Sequence, residues 1–205
     1  MNLWMCARAV TRRWGMAWLL VLFGLVACSP DKPQFKSIDV TGANYAQGFT
    51  LTDAQGQRRS LQDFKGKVVV VFFGYTQCPD VCPTSLQELA DTRRLLGPDG
   101  DKLQGVFVTV DPARDTPELL KKYVPQFNPS FDALTASSLD ELKPLLTGLR
   151  VFAGKVEGSS PENYLMDHTS ASYVFDQQGR ARLLVRHNAD STPVVEDVAQ
   201  ILAGK

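Results

Sequence analysis

The chain is poor in the side chains that carry metal and redox chemistry: 205 residues include four cysteines and two histidines. So few thiols exclude a disulfide-dense scaffold. No mostly apolar, charge-free run reaches the roughly 20 residues that a membrane-spanning helix needs. The longest covers residues 14–27. An excess of one charge is lacking too, because 22 Lys and Arg balance 22 Asp and Glu. With no basic stripe, nothing points to a nucleic-acid partner. Internal repeats and low-complexity tracts are absent, which excludes repeat architectures.

What is present is organised by position. Arg8, Arg12 and Arg13 precede the apolar run, a charge order that suits a signal peptide. The run ends in Leu25-Val26-Ala27-Cys28, which resembles a bacterial lipoprotein signal. That resemblance implies cleavage after Ala27 and a lipid on Cys28. A short, uncleaved membrane anchor is the alternative. In both cases the basic residues stay cytoplasmic, so the body is exported and tethered on the periplasmic or extracellular side. Residues 1–27 are then a leader, and 28–48 a lipidated N-terminus with a polar, proline-containing spacer. Residues 49–205 form one domain, long enough to bury its own core.

Hydrophobic patterning gives the domain its class. Residues 49–60 alternate around Asp53-Ala54-Gln55-Gly56, a hairpin signal. Residues 68–73 form a β-branched and aromatic run, as in a parallel strand buried on both faces. Leu86, Leu89, Ala90, Leu95 and Leu96 make a helical stripe that Gly97-Pro98 ends. Residues 106–110 give a second buried strand, and Thr116-Pro117 caps and starts a helix. Residues 131–135 read as a strand, and Ser138-Leu139-Asp140-Glu141 as a capping box. Residues 171–175 and 181–186 flank Asp176-Gln177-Gln178-Gly179 as a second hairpin, and Thr192-Pro193 opens a last helix. The alternation is α/β. Its order, with an N-terminal hairpin, an inserted strand–helix segment and a terminal ββα, resembles the thioredoxin-like fold.

Once the leader is removed, the only thiols outside the lipid site are Cys78 and Cys82, in Cys78-Pro79-Asp80-Val81-Cys82-Pro83. Outside the cytoplasm such a pair is a disulfide, a metal site, or a pair kept reduced by a partner. Two buried structural thiols are the plain alternative. Open α/β sheets place sites beyond the carboxyl ends of their strands, where this pair falls. Proline clashes deep in a helix but is tolerated at the first turn, so Pro83 puts Cys82 at the helix entrance and Cys78 in the loop before it. The helix dipole there favours thiolate, the form that binds metal and attacks disulfides. Three intervening residues suit a metal held between the sulfurs more readily than a direct bond, without forbidding one.

His168 lies just before the 171–175 strand. In thioredoxin topology that segment faces the cysteine loop, and thioredoxins normally place a cis-proline there. No proline stands between Pro161 and Pro193. Two thiolates and an imidazole make a soft, incomplete ligand set that suits copper or zinc. A satisfied structural histidine is the alternative. His187 reads as a surface residue, Asp115 and Thr116 as turn and cap, and Asp111 as a candidate support for the site.

Residues 73–83, Val110-Asp111-Pro112-Ala113-Arg114-Asp115-Thr116-Pro117, and Asp167-His168 together resemble the Sco/SenC family, in the family's order. The resemblance implies a membrane-tethered, thioredoxin-like protein that binds Cu(I) or Cu(II) through Cys78, Cys82 and His168. It further implies a role in assembling the CuA site of cytochrome c oxidase subunit II. A thiol–disulfide reductase, with Cys78 and Cys82 catalytic and a thiol-reducing partner, is the second reading. A peroxidase is the third, although a lone reactive cysteine would suit it better.

Overall fold

The computed structural model describes residues 33–45, 48–160, 163–187 and 190–205. The leader and Cys28 lie outside the described residues. Among those described, no helix is long and apolar enough to cross a membrane.

In chain order the elements are β1 (Ile38–Asp39), β2 (Thr50–Asp53), β3 (Arg58–Ser60), β4 (Val68–Gly74), α1 (Val81–Leu95), β5 (Leu103–Thr109), α2 (Pro117–Tyr123), β6 (Asp132–Thr135), α3 (Leu139–Leu149), β7 (Ala153–Ser160), β8 (Asn163–His168), β9 (Ala171–Phe175), β10 (Ala181–Arg186) and α4 (Ser191–Leu202). Eight strands form one sheet in the order β1-β10-β9-β4-β5-β6-β2-β3, and β7 and β8 make a separate ribbon. The α/β class and the thioredoxin-like order of the main elements match the sequence reading.

The central strand β4 is buried along its whole length. It pairs in parallel with β5 and antiparallel with β9, so the sheet is mixed. Phe72, Phe73, Phe107 and Phe175 are among the largest fully buried side chains. Each such ring contributes about 1.5–3 kcal/mol relative to exposure. Helices α1 and α4 pack on each other and on β4.

Both expected hairpins form, and one device closes both. Asp53 accepts the N–H groups of Gln55 and Gln57, and Asp176 those of Gln178 and Arg180. Gly56 and Gly179 then take the positive φ (81° and 79°) that each turn requires. The α3 cap differs from its expected form. Ser138 does accept the Glu141 N–H, but the Glu141 carboxylate bonds the backbone and hydroxyl of Ser137.

The folded unit begins earlier than the expected domain start at residue 49. Ile38 and Asp39 pair with Leu184 and Leu183. Just before them, the buried Asp197 carboxylate accepts the N–H groups of Lys36 (2.8 Å) and Ser37 (2.7 Å). Part of the segment read as spacer is therefore fastened to α4 and β10. The β7–β8 ribbon has no counterpart in the sequence reading.

Candidate metal centre

The site lies beyond the carboxyl end of β4. Gly74 ends that strand, and the loop after it leads into α1. Asp115, buried beyond β5, holds this loop: it accepts the Thr76 N–H at 3.0 Å, the Thr76 hydroxyl at 2.6 Å and the Thr109 hydroxyl at 2.6 Å. Burial raises the Asp115 pKa, against the lowering effect of these hydrogen bonds. Asp115 is thus a buried anchor of the cysteine loop as well as the expected turn residue, its N–H donating to the Asp111 carbonyl at 2.9 Å.

Helix α1 starts without an ordinary cap. Asp80 occupies the N-cap position, but its side chain accepts no cap hydrogen bond. The Cys78 sulfur takes that place, accepting the Cys82 N–H at 3.4 Å. A helix start that donates to sulfur favours its thiolate form. Cys82 is buried and Cys78 half-buried, and neither is in a disulfide. The Cys78 pKa is pulled down to about 3, first by the hydrogen bond from the Cys82 thiol and further by His168. The Cys82 pKa moves up for the same reason, with burial adding to the rise. The two shifts run in opposite directions, so Cys78 is the readier of the two to lose its proton.

His168 closes the site from β8. The inward positions of this strand are Tyr164, Met166 and His168, while Leu165 and Asp167 are exposed. The His168 Nδ1 faces the Thr169 carbonyl at 3.2 Å. A carbonyl can only accept, so Nδ1 carries a hydrogen, and Nε2 is the ring nitrogen that faces the sulfurs. Nε2 lies 3.4 Å from Cys82 Sγ. The rings of Phe72 and Tyr75 meet the imidazole edge-on at 6.1 and 5.9 Å. Donor atoms of Cys78, Cys82 and His168 all lie within 4.8 Å of one another. Two soft sulfurs and one imidazole suit copper or zinc, with coordination positions left open.

Arg114 ties the surrounding pieces together. It donates to Asp111 at 2.5 Å, to Gln77 of the cysteine loop at 3.1 Å, and to the Tyr164 carbonyl of β8 at 2.9 Å. Its guanidinium lies 3.5 Å from the Tyr164 ring centre, and the Tyr164 hydroxyl donates back to Asp111 at 2.8 Å. Asp111 thus supports the site through Arg114 and Tyr164. The sequence reading assigned no role to Arg114, Tyr164, Gly74 or Tyr123. The Tyr123 hydroxyl is buried without a hydrogen-bond partner among the described residues. Burial raises its pKa, and thiolate charge in the nearby cysteine pair adds to the rise. His187 is half-buried rather than on the surface, and its Nδ1 lies 3.0 Å from the Ser85 hydroxyl.

A cysteine pair at a helix entrance, met by a histidine on a thioredoxin-like sheet, defines a class of metal- and thiol-active proteins. Comparison with known proteins narrows the class. Residues 39–203 match the family model described as SCO1/SenC. The chain is 33% identical over 179 residues to a "SCO2-like protein" of Rickettsia felis, covering 86% of this chain and 85% of the relative. It belongs to the SCO1/SenC family. Among solved structures, Bradyrhizobium japonicum ScoI with copper bound is 38% identical, with a TM-score of 0.68 over 76% of this chain and 98% of that one. Yeast Sco1 with copper bound is 32% identical, with a TM-score of 0.70 over 77% and 88%.

Proposed function

We propose that this chain is a membrane-tethered copper carrier. It takes up Cu(I) or Cu(II) on Cys78, Cys82 and His168 and delivers it to the CuA site of cytochrome c oxidase subunit II. The observation that carries this reading is the meeting of the three donor groups within 4.8 Å. The copper-bound state of the two solved relatives supports it. The donors divide the labour. Cys82 is buried and fixed in α1, whereas Cys78 is half-exposed in the preceding loop. An acceptor thiol therefore reaches the ion from the Cys78 side. The tether in this reading is a lipid on Cys28, with the domain held on the periplasmic or extracellular side.

Anaerobic copper titration of the reduced full chain tests the proposal. One copper per chain is expected, with uptake lost in Cys78→Ser and Cys82→Ser and weakened in His168→Ala. No uptake by the parent chain would refute it.

The half-exposed, low-pKa Cys78 beside a buried partner thiol also favours a reductase. In that reading the Cys78 thiolate attacks a disulfide of the oxidase copper ligands and releases one thiolate. The Cys82 thiol, once deprotonated, attacks the mixed disulfide, releases the second thiolate and leaves a Cys78–Cys82 disulfide. A thiol-reducing partner then restores the pair. Oxidase loading in cells carrying a folded His168→Pro variant separates the two readings. Normal loading favours the reductase, and a defect like that of Cys78→Ser favours the carrier.

A further inference from the structure

We propose that His187 is a positioning residue for the Cys78–Cys82–His168 site, acting as a clamp between the two parts of the chain that supply the ligands. The inference deepens the copper-carrier reading and rests on it. His187 follows β10 and touches both parts. Its ring Nδ1 lies 3.0 Å from the Ser85 hydroxyl. Ser85 is buried in α1, three residues beyond Cys82, so it shares the helix face of that ligand. The backbone N–H of His187 donates to the Ser170 carbonyl at 3.0 Å. Ser170 lies two residues beyond His168, in the link that feeds β9. One residue thus joins the helix that carries Cys82 to the segment that carries His168.

The clamp matters because the two ligands belong to different units of structure. Cys82 moves with α1, whose packing on β4 and α4 is extensive. His168 ends the β7–β8 ribbon, which stands outside the main sheet. The spacing of Cys82 Sγ and His168 Nε2, 3.4 Å in this structure, depends on how the link at 169–170 is held against α1. The cysteines lie four residues apart and need no such help to meet each other. Loss of the clamp therefore acts on the histidine's share of the site and spares the thiol pair. Cu(II) favours nitrogen ligands, whereas Cu(I) is satisfied by soft thiolates. The two oxidation states separate a positioning role from general destabilisation.

The test uses the reduced full chain in detergent. In the metal-free state, His187→Ala should shift or broaden the His168 ring resonances. His187→Asn, whose amide reaches where Nδ1 stands, should restore them. Cu(II) affinity should fall about fivefold to tenfold in His187→Ala, the scale of one lost hydrogen bond. Cu(I) affinity should change by less than about threefold. Ser85→Ala should reproduce the effect, and His187→Ala should add nothing in a His168→Ala background. Unchanged His168 resonances, equal losses for both oxidation states, or a full loss in the His168→Ala background would overturn the proposal. A parent chain that takes up no copper would refute the carrier reading instead, and the ring resonances would still decide whether His187 positions His168.

Discussion

Gly74→Ala tests how tightly the fold is built around the Cys82 sulfur. A Cβ at this position would lie 2.8 Å from Cys82 Sγ, 2.9 Å from Phe72 Cε1 and 3.0 Å from Phe107 Cε2. Non-bonded carbon contacts settle near about 3.5–4.0 Å, so each neighbour must withdraw by roughly 0.5–1 Å. Both rings and the sulfur are buried, so none can swing into solvent. Overpacking of this kind costs about 1–3 kcal/mol. For a domain of this size that lowers Tm by about 5 °C. The sulfur has less tolerance than the rings. A metal–sulfur bond keeps its length within about 0.2 Å, so a half-ångström displacement removes Cys82 from its place in the ligand set. Calorimetry and a chelator-competition titration of the folded variant read the two effects together. A fall in copper affinity of about tenfold or more is expected beside the modest loss of Tm. An unchanged Tm with unchanged affinity would refute the reasoning, because it would mean that the Cys82 pocket has room to spare.

Other expectations follow from the same geometry. His168→Ala should weaken Cu(II) binding more than Cu(I) binding, as read by paired competition titrations, and equal losses would remove His168 from the ligand set. Oxidation to the Cys78–Cys82 disulfide should abolish copper uptake by metal analysis, since both sulfurs are then committed; undiminished uptake would count against the ligand assignment. Alkylation should fall on Cys78 before Cys82 in the metal-free reduced chain. The Cys78 pKa is lowered to about 3, so its thiolate is already formed throughout pH 5–8. Its alkylation rate should stay nearly flat across that window, whereas an ordinary thiol gains about tenfold per pH unit. A rate that climbs in that ordinary way would show that Cys78 does not carry the lowered pKa.

The main sheet and helices were legible because their signals are strong and local. The apolar run at 68–73, the stripe through Leu86 and Leu89, and two hairpins with Asp and Gly at fixed offsets each state their own structure. The meeting of Cys78, Cys82 and His168 was legible for a different reason: thiols are few, and the thioredoxin-like order sets the segment before β9 against the cysteine loop. The β7–β8 ribbon was missed, although Tyr164, Met166 and His168 do alternate as one face of a strand should. Glycine, serine and lysine in its partner strand dilute that pattern. Strand β1 was missed because two residues carry no periodicity, and its anchor, Asp197, lies about 160 positions away in the chain. The Arg114 network was illegible for the same reason. Its partners Gln77, Asp111 and Tyr164 meet only after the loops beyond β4 and β5 and the ribbon have come together. His187 was misplaced because a histidine at a strand end looks exposed until the helix opposite supplies Ser85.

The distance along the chain between Cys82 and His168 is 86 residues. An ion held by both closes that stretch into a loop, with the β7–β8 ribbon inside it and fastened at its end. A permanent cross-link of that span would restrict the unfolded chain by about 4–5 kcal/mol in the chain-entropy account. A copper ion bound there thus doubles as a removable staple. A loaded chain resists opening, and one without its ion returns to the stability of its bare core. Resistance to proteolysis therefore reports whether the site is filled.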